Sequence, residues 1–210
     1  MSIKKISLEK YIEYSNYEGS QHIAKEHSIF RILQVIKKEK AKNVLEIGLG
    51  IGTIYSAVRE FSKEIKYFGT ENNDFCLKSL EKNLSDSYNS LIIYESIEDV
   101  HFKDKIDVVI VDGKDRYFDY VKESISNNGV IIIEGYRQDQ LVEIRKLFPE
   151  SIDVHVITLS KNDGSGFFDS NHYQGGVKII YVKPIFRQRI NWFKQKVSTK
   201  YKYIIRTLRS

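Results

Sequence analysis

Between Asn43 and Lys183, short apolar runs alternate with longer segments of helical spacing, and this alternation limits the fold more than any other feature. The runs are Val44-Leu45-Glu46-Ile47, Ile65-Lys66-Tyr67-Phe68-Gly69, Leu91-Ile92-Ile93-Tyr94, Ile106-Asp107-Val108-Val109-Ile110-Val111 and Val130-Ile131-Ile132-Ile133. The run around Val109 is almost wholly β-branched, as suits a strand buried on both faces of a parallel sheet. Such a rhythm indicates an open, doubly wound α/β domain with helices on both faces. Two last runs, Asp153 to Leu159 and Val177 to Val182, have no helical pattern between them. A polar, glycine-containing loop joins them, and they read as an antiparallel hairpin closing the sheet.

Three parts follow: a helical segment over 1–42, the α/β domain over 43–183, and a C-terminal helix over 184–210. In the first, Ile23, Phe30, Ile32, Leu33 and Ile36 are spaced for an amphipathic helix that ends in Lys37-Lys38-Glu39-Lys40. At 210 residues the chain can bury one sizeable core without a disulfide or metal staple.

The sharpest motif, Val44-Leu45-Glu46-Ile47-Gly48-Leu49-Gly50-Ile51-Gly52-Thr53, lies where the first strand turns into a helix. Glycines there permit a tight turn and let a ligand approach the backbone at the positive end of the next helix. The spacing is GxGxG, whereas the dinucleotide fingerprint is GxGxxG, and no P-loop Gly-Lys-Ser/Thr ending follows. Glu46 stands two residues before Gly48, where a carboxylate would repel a pyrophosphate and attract a cationic ligand. Gly48, Gly50, Gly52 and Thr53 complete this candidate loop.

Two more acids fall at strand ends. Glu71 ends the second strand, 23 positions after Gly48, where a carboxylate can accept hydrogen bonds from a ribose diol, with Asn72 beside it. Glu95 and Ser96 follow the third strand, where an acid and a small residue can meet the amine and ring edge of an adenine.

Together these residues resemble the class I S-adenosylmethionine-dependent methyltransferases, over roughly Asn43 to Lys183. The resemblance implies a Rossmann-like, seven-stranded, mostly parallel sheet with its last strand antiparallel. It also implies S-adenosyl-L-methionine as cofactor, lying across the C-terminal ends of the first strands. A narrower likeness is carried by Val111-Asp112-Gly113-Lys114-Asp115-Arg116-Tyr117, which is similar to the fourth-strand motif of small-molecule O-methyltransferases of the catechol and caffeoyl-CoA types. That likeness implies Asp112 as a floor residue near the transferred methyl group, touching the cofactor, and Lys114 as base or oxyanion partner of the acceptor hydroxyl. The lysine comes one residue sooner than in the catechol pattern, and the Asp-Asn pair after the fifth strand is replaced by Glu134-Gly135. Asp112 and Glu134 are hard oxygen ligands suited to magnesium, but without the amide partner no metal is expected.

Composition narrows the acceptor. The net charge is +5, yet residues 184–210 hold eight Lys or Arg and no acid; subtracting those eight leaves −3 for the rest. A slightly acidic body, and no Asn-Pro-Pro-Tyr type motif, argue against nucleic acid and for a small-molecule or saccharide hydroxyl. The loop from Ser165 to Gly176, with His172, has the mix of aromatic and polar residues that suits a cover over an acceptor. An aminopropyltransferase on the same scaffold and a cofactor-binding protein without catalysis are the competing readings. One cysteine, Cys76, excludes an internal disulfide, and no apolar run suits a secretory signal or a bilayer span, so a cytoplasmic protein is expected.

The C-terminal segment repeats apolar residues at Phe186, Ile190, Phe193, Val197, Tyr201, Ile204 and Leu208. Three coverings suit this basic amphipathic helix: the domain itself, a second subunit, or the anionic inner surface of a membrane. Burial of the stripe against protein is the first expectation.

Overall fold

A computed structural model describes residues 1–99, 102–113, 118–135, 137–162 and 170–209. Two helices come first, α1 (Ile3–Ser15) and α2 (Glu26–Glu39). The alternating part then runs β1 (Asn43–Ile47), α3 (Thr53–Phe61), β2 (Lys66–Thr70), α4 (Asp74–Leu84), β3 (Ile92–Tyr94), β4 (Ile106–Val111), α5 (Phe118–Ser124), β5 (Ile125–Glu134) and α6 (Gln138–Leu147). It closes with β6 (Ile152–Val156), β7 (Val177–Tyr181) and α7 (Phe186–Leu208). Each expected run forms a strand, and the expected hairpin is β6 with β7.

One seven-stranded sheet results, ordered β3-β2-β1-β4-β5-β7-β6. Pairings among β1 to β5 are parallel, and β7 runs antiparallel to both β5 and β6. The chain therefore has a Rossmann-like, doubly wound fold, with the order reversing between β1 and β4. In open α/β sheets, ligands bind outside the carboxyl ends of the strands at such a point.

Side chains alternate across the sheet with the strand period of two. Val44, Val108, Ile110, Val130, Ile132 and Ile179 face one way and share a core with Ile6 of α1, Ile29 and Leu33 of α2, Val58 of α3 and Leu80 of α4. Leu45, Val109, Val111, Ile131, Ile133 and Ile180 face the other way, onto Val121 of α5 and Ile144 of α6. Continuous apolar strands are thus explained by helices on both sides. Ile23 falls outside α2, in the turn that leads into it.

The C-terminal helix departs from expectation. It docks on the domain through its polar face and leaves the apolar stripe outside. Trp192 Nε1 donates to the carbonyl of Asp153 at 2.7 Å, Lys202 Nζ to that of Ile157 at 2.8 Å and Arg206 Nε to that of Thr158 at 2.9 Å. Gln188, fully buried, donates to the carbonyl of Asn128 at 2.8 Å and to Glu39. Meanwhile all seven stripe residues are between 41 % and 81 % exposed. Burial of the stripe against the domain is overturned. The physical reason lies in the edge strand β6 and the two residues of chain that follow it, whose carbonyls require donors that apolar side chains cannot supply.

Candidate functional site

The turn after β1 is built by three glycines, all at positive φ. Gly48 is fixed by crowding. A Cβ there would come within 2.6 Å of the backbone of Gly113, because the loop after β4 is drawn against it. The amides of Asp112 and Gly113 both donate to the carbonyl of Ile47, at 2.9 and 2.7 Å. Gly50 differs: an added Cβ would meet nothing within 4 Å, so its surface opens into free space. A ligand entering that space would meet bare backbone.

The free space is a cavity of about 220 Å³. Glu46, Gly50, Ile51, Thr53 and Asp112 line it on the sheet side, and Asn73, Phe75 and Cys76 line it from the start of α4. Its remaining wall comes from the N-terminal segment, through Gly19, Gln21, His22, Ile23 and Ala24. Thr53 opens α3 at the positive end of that helix, and its Oγ1 is buried without a hydrogen-bond partner. Leaving a buried hydroxyl unpaired is costly, so a ligand that pairs with it is favoured there.

The cavity floor is acidic. Glu46 is 1 % exposed and accepts a hydrogen bond from the Tyr67 hydroxyl at 2.5 Å. Burial, with Asp112 and Glu71 nearby, drives its carboxyl well above the ordinary range. Burial pushes the Asp112 carboxyl up to about 8, and Glu134 adds to the rise while Arg137 opposes it. Glu134 is also raised by burial, although Ser28 Oγ donates to it at 2.9 Å and Arg137 and Lys25 lie near. Such a group of acids, costly to ionise together, favours a bound cation that offsets their charge.

Arg137 organises the β4 end. It pairs with Asp112 Oδ1 at 3.1 Å and also donates to the carbonyls of Asp112 and Gly113. Gln140 Nε2 donates to the Gly113 carbonyl at 3.0 Å. Among the described residues, no three His, Cys, Asp or Glu side chains converge as metal ligands.

Glu71 touches the glycine loop directly. Its Oε2 accepts from the Gly50 amide at 2.8 Å, and its Oε1 accepts from the amides of Asn72 and Asn73, both at 3.0 Å. With about four lone pairs on a carboxylate, one position on Oε2 stays open to a further donor. A ribose could place one hydroxyl there; a two-hydroxyl grip requires the Gly50 amide to let go.

Glu46, Gly50, Thr53 and Asp112 therefore meet in one cavity, while Gly48 and Gly52 shape the turn behind it. Glu71 and Glu95 sit side by side at the ends of β2 and β3, where the Glu71 amide donates to the Tyr94 carbonyl at 3.0 Å. Asn72 and Glu95 are exposed, and Ser96 Oγ bonds Asp99 at 2.8 Å; these, like Glu71, do not line the cavity. Lys114 lies outside the described residues, as does part of the loop around His172. Sequence reasoning missed the 19–24 wall, Phe75, and the Ser28–Glu134 and Arg137–Asp112 contacts. All are long-range, and only the paired acids after β4 and β5 hinted at them.

No protein-family model matches the chain, and no curated protein matches it in sequence. Solved structures do match in fold. A SAM-dependent O-methyltransferase from Thermotoga maritima aligns with TM-score 0.63 at 17% identity, covering 84% of this chain and 71% of its own. An O-methyltransferase from Bacillus cereus, solved in complex with SAH, aligns with TM-score 0.58 at 14% identity, over 86% and 91%. Precorrin-6y C5,15-methyltransferase from Geobacter metallireducens aligns with TM-score 0.58 at 16% identity, over 80% and 94%.

Proposed function

We propose that this chain is an S-adenosylmethionine-dependent methyltransferase whose acceptor is a hydroxyl of a small molecule or saccharide. The observation that carries the reading is the cavity at the glycine loop, with the bare Gly50 backbone, the unsatisfied Thr53 hydroxyl and the acidic floor of Glu46 and Asp112. A cationic amino acid end fits that floor, and the fold supports the cofactor class. When bound, the sulfonium supplies an electrophilic methyl group.

The chain's own residues then bind, orient and deprotonate. Glu46 and Asp112 receive the positive end, and Thr53 donates or accepts at the α3 terminus. Glu71 takes one ribose hydroxyl through its open lone pair, with Asn72, Glu95 and Ser96 at neighbouring strand ends toward the base. Aligning an acceptor oxygen with the methyl group supplies most of the acceleration. A hydroxyl also needs its proton removed as the new bond forms. Asp112, held as a weak acid beside Glu134, is the base at the cavity floor. Lys114, two residues on, is its partner by the sequence likeness alone.

Binding of S-adenosylmethionine, its demethylated product and its decarboxylated form, measured by calorimetry, tests the first half. Saturable binding of the first two, with the decarboxylated form weaker, supports a methyltransferase; no binding sinks it. Preference for the decarboxylated form favours the aminopropyl reading. Mass spectrometry of products from a hydroxyl-rich acceptor panel tests the second half, and methylation only at carbon or nitrogen would sink the hydroxyl assignment. Asp112→Asn should lower kcat/KM by about a hundredfold with an oxygen acceptor.

A further inference from the structure

Amphipathic helices normally bury their apolar stripe and expose their polar face. In α7 the arrangement is inverted. At about 100° per residue, Phe186, Ile190, Phe193, Val197, Tyr201, Ile204 and Leu208 form one narrow line, and Gln188, Gln195, Thr199 and Arg206 form the opposite line. The second line meets the domain: Gln188 and Thr199 are buried, and Arg206 reaches the Thr158 carbonyl. The apolar line faces away from it along six turns of helix.

Charge decides what this face fits. Arg189, Lys196 and Lys200 border the stripe on one side and Arg187 and Lys194 on the other, all exposed. Residues 184–210 contain no acid, although Arg187 is paired with Glu39 of α2 at 2.5 Å. A second copy of the helix would bring cation against cation along its length, whereas an anionic lipid surface would accept the stripe among its acyl chains and the lysines at its phosphates. No described helix is long and apolar enough to cross a membrane, so the contact is one of lying on the surface.

We propose that the outward face of α7 binds an anionic phospholipid bilayer while the helix stays docked on β6. The inference does not depend on the methyltransferase reading. Gln188, Trp192, Lys202 and Arg206 already hold the helix to backbone carbonyls of the domain, so it requires no rearrangement to present the stripe.

Vesicle sedimentation with the full-length protein tests it. The protein should pellet with vesicles of phosphatidylglycerol and phosphatidylcholine in equal parts and stay in solution with phosphatidylcholine alone. The triple variant F193Q/V197Q/I204Q should lose pelleting, with circular dichroism and melting temperature unchanged because these side chains are exposed. Lys194→Gln and Lys200→Gln should each weaken binding about fivefold. Equal pelleting with neutral vesicles, or none with either kind, overturns the proposal. So does a dimer in light scattering that the triple variant dissociates when no vesicle binding is seen, since the stripe would then belong to a second copy.

Discussion

Two amphipathic helices of this chain, α2 and α7, carry similar apolar periodicity and face opposite ways. In α2 the stripe of Ile29, Ile32, Leu33 and Ile36 is at most 1 % exposed and packs on the sheet face. In α7 the corresponding stripe points outward, and polar residues make the contact. The difference lies in the surfaces they meet. Helix α2 covers side chains of strands whose backbones are already paired, so apolar burial governs its rotation. Helix α7 lies along an edge strand, where unpaired carbonyls reward donors. Periodicity defines a stripe; the receiving surface decides where it points.

The largest expected effect comes from testing the stripes against each other. Ile32→Ala should cost about 2–5 kcal/mol in denaturant unfolding, because it empties a fully packed site. Phe193→Ala should change stability by no more than about 0.5 kcal/mol. A comparable loss at both positions would break the contrast. A smaller effect tests the polar dock: Trp192→Phe keeps an aromatic side chain but removes the bond to the Asp153 carbonyl, and should cost about 1 kcal/mol. No change there would mean that the α7 dock is not held by donors.

Titration sharpens the boundary between the two helices. His27 of α2 faces Arg31 of its own helix and Lys202 and Arg206 of α7, with a backbone contact at Val156. Burial first, and those cations next, lower its pKa to about 4. Because the folded value lies below the unfolded one, its share of stability is present above about pH 6.5 and lost as pH falls toward 4. His27→Gln should flatten the loss of melting temperature over that window; an unchanged slope would remove His27 from the interface.

The opposite sign holds at the cavity floor. The Asp112 carboxyl is raised to about 8, so its protonated folded form is favoured at low pH and that advantage fades as pH climbs from the ordinary carboxyl range through 8. Asp112→Asn should therefore gain stability relative to the parent as pH rises, read from melting temperatures across that range. Ser28→Ala, at the α2 end of the same site, should give the smallest shift. Removing the donor to Glu134 raises that carboxyl further, lessens its repulsion of Asp112 and moves the acid limb of kcat/KM to lower pH, with little change in melting temperature.

Much of the site was legible because its determinants are local. The GxGxG turn follows from three residues that must adopt positive φ, and the strands from runs no surface segment could carry. Their order places Glu46, Asp112 and Glu71 toward the carboxyl ends of neighbouring strands. What stayed hidden was contact between distant segments. Nothing near Gly19 indicates that it will wall a cavity opened by Gly50, and nothing near Arg137 indicates that it will hold Asp112. Even Glu71, correctly placed at its strand end, has most of its lone pairs occupied by backbone amides, which spacing could not reveal.

Patterning alone determined the alternating α/β order, the closing hairpin and the acidic mouth of the first turn, since each rests on side-chain periodicity or on backbone conformations only glycine adopts easily. Tertiary structure decided the rotation of α7, the N-terminal wall of the cavity and the protonation of its floor. Those depend on which carbonyls are left unpaired and which charges are brought together away from water, and neither exists until the sheet has assembled.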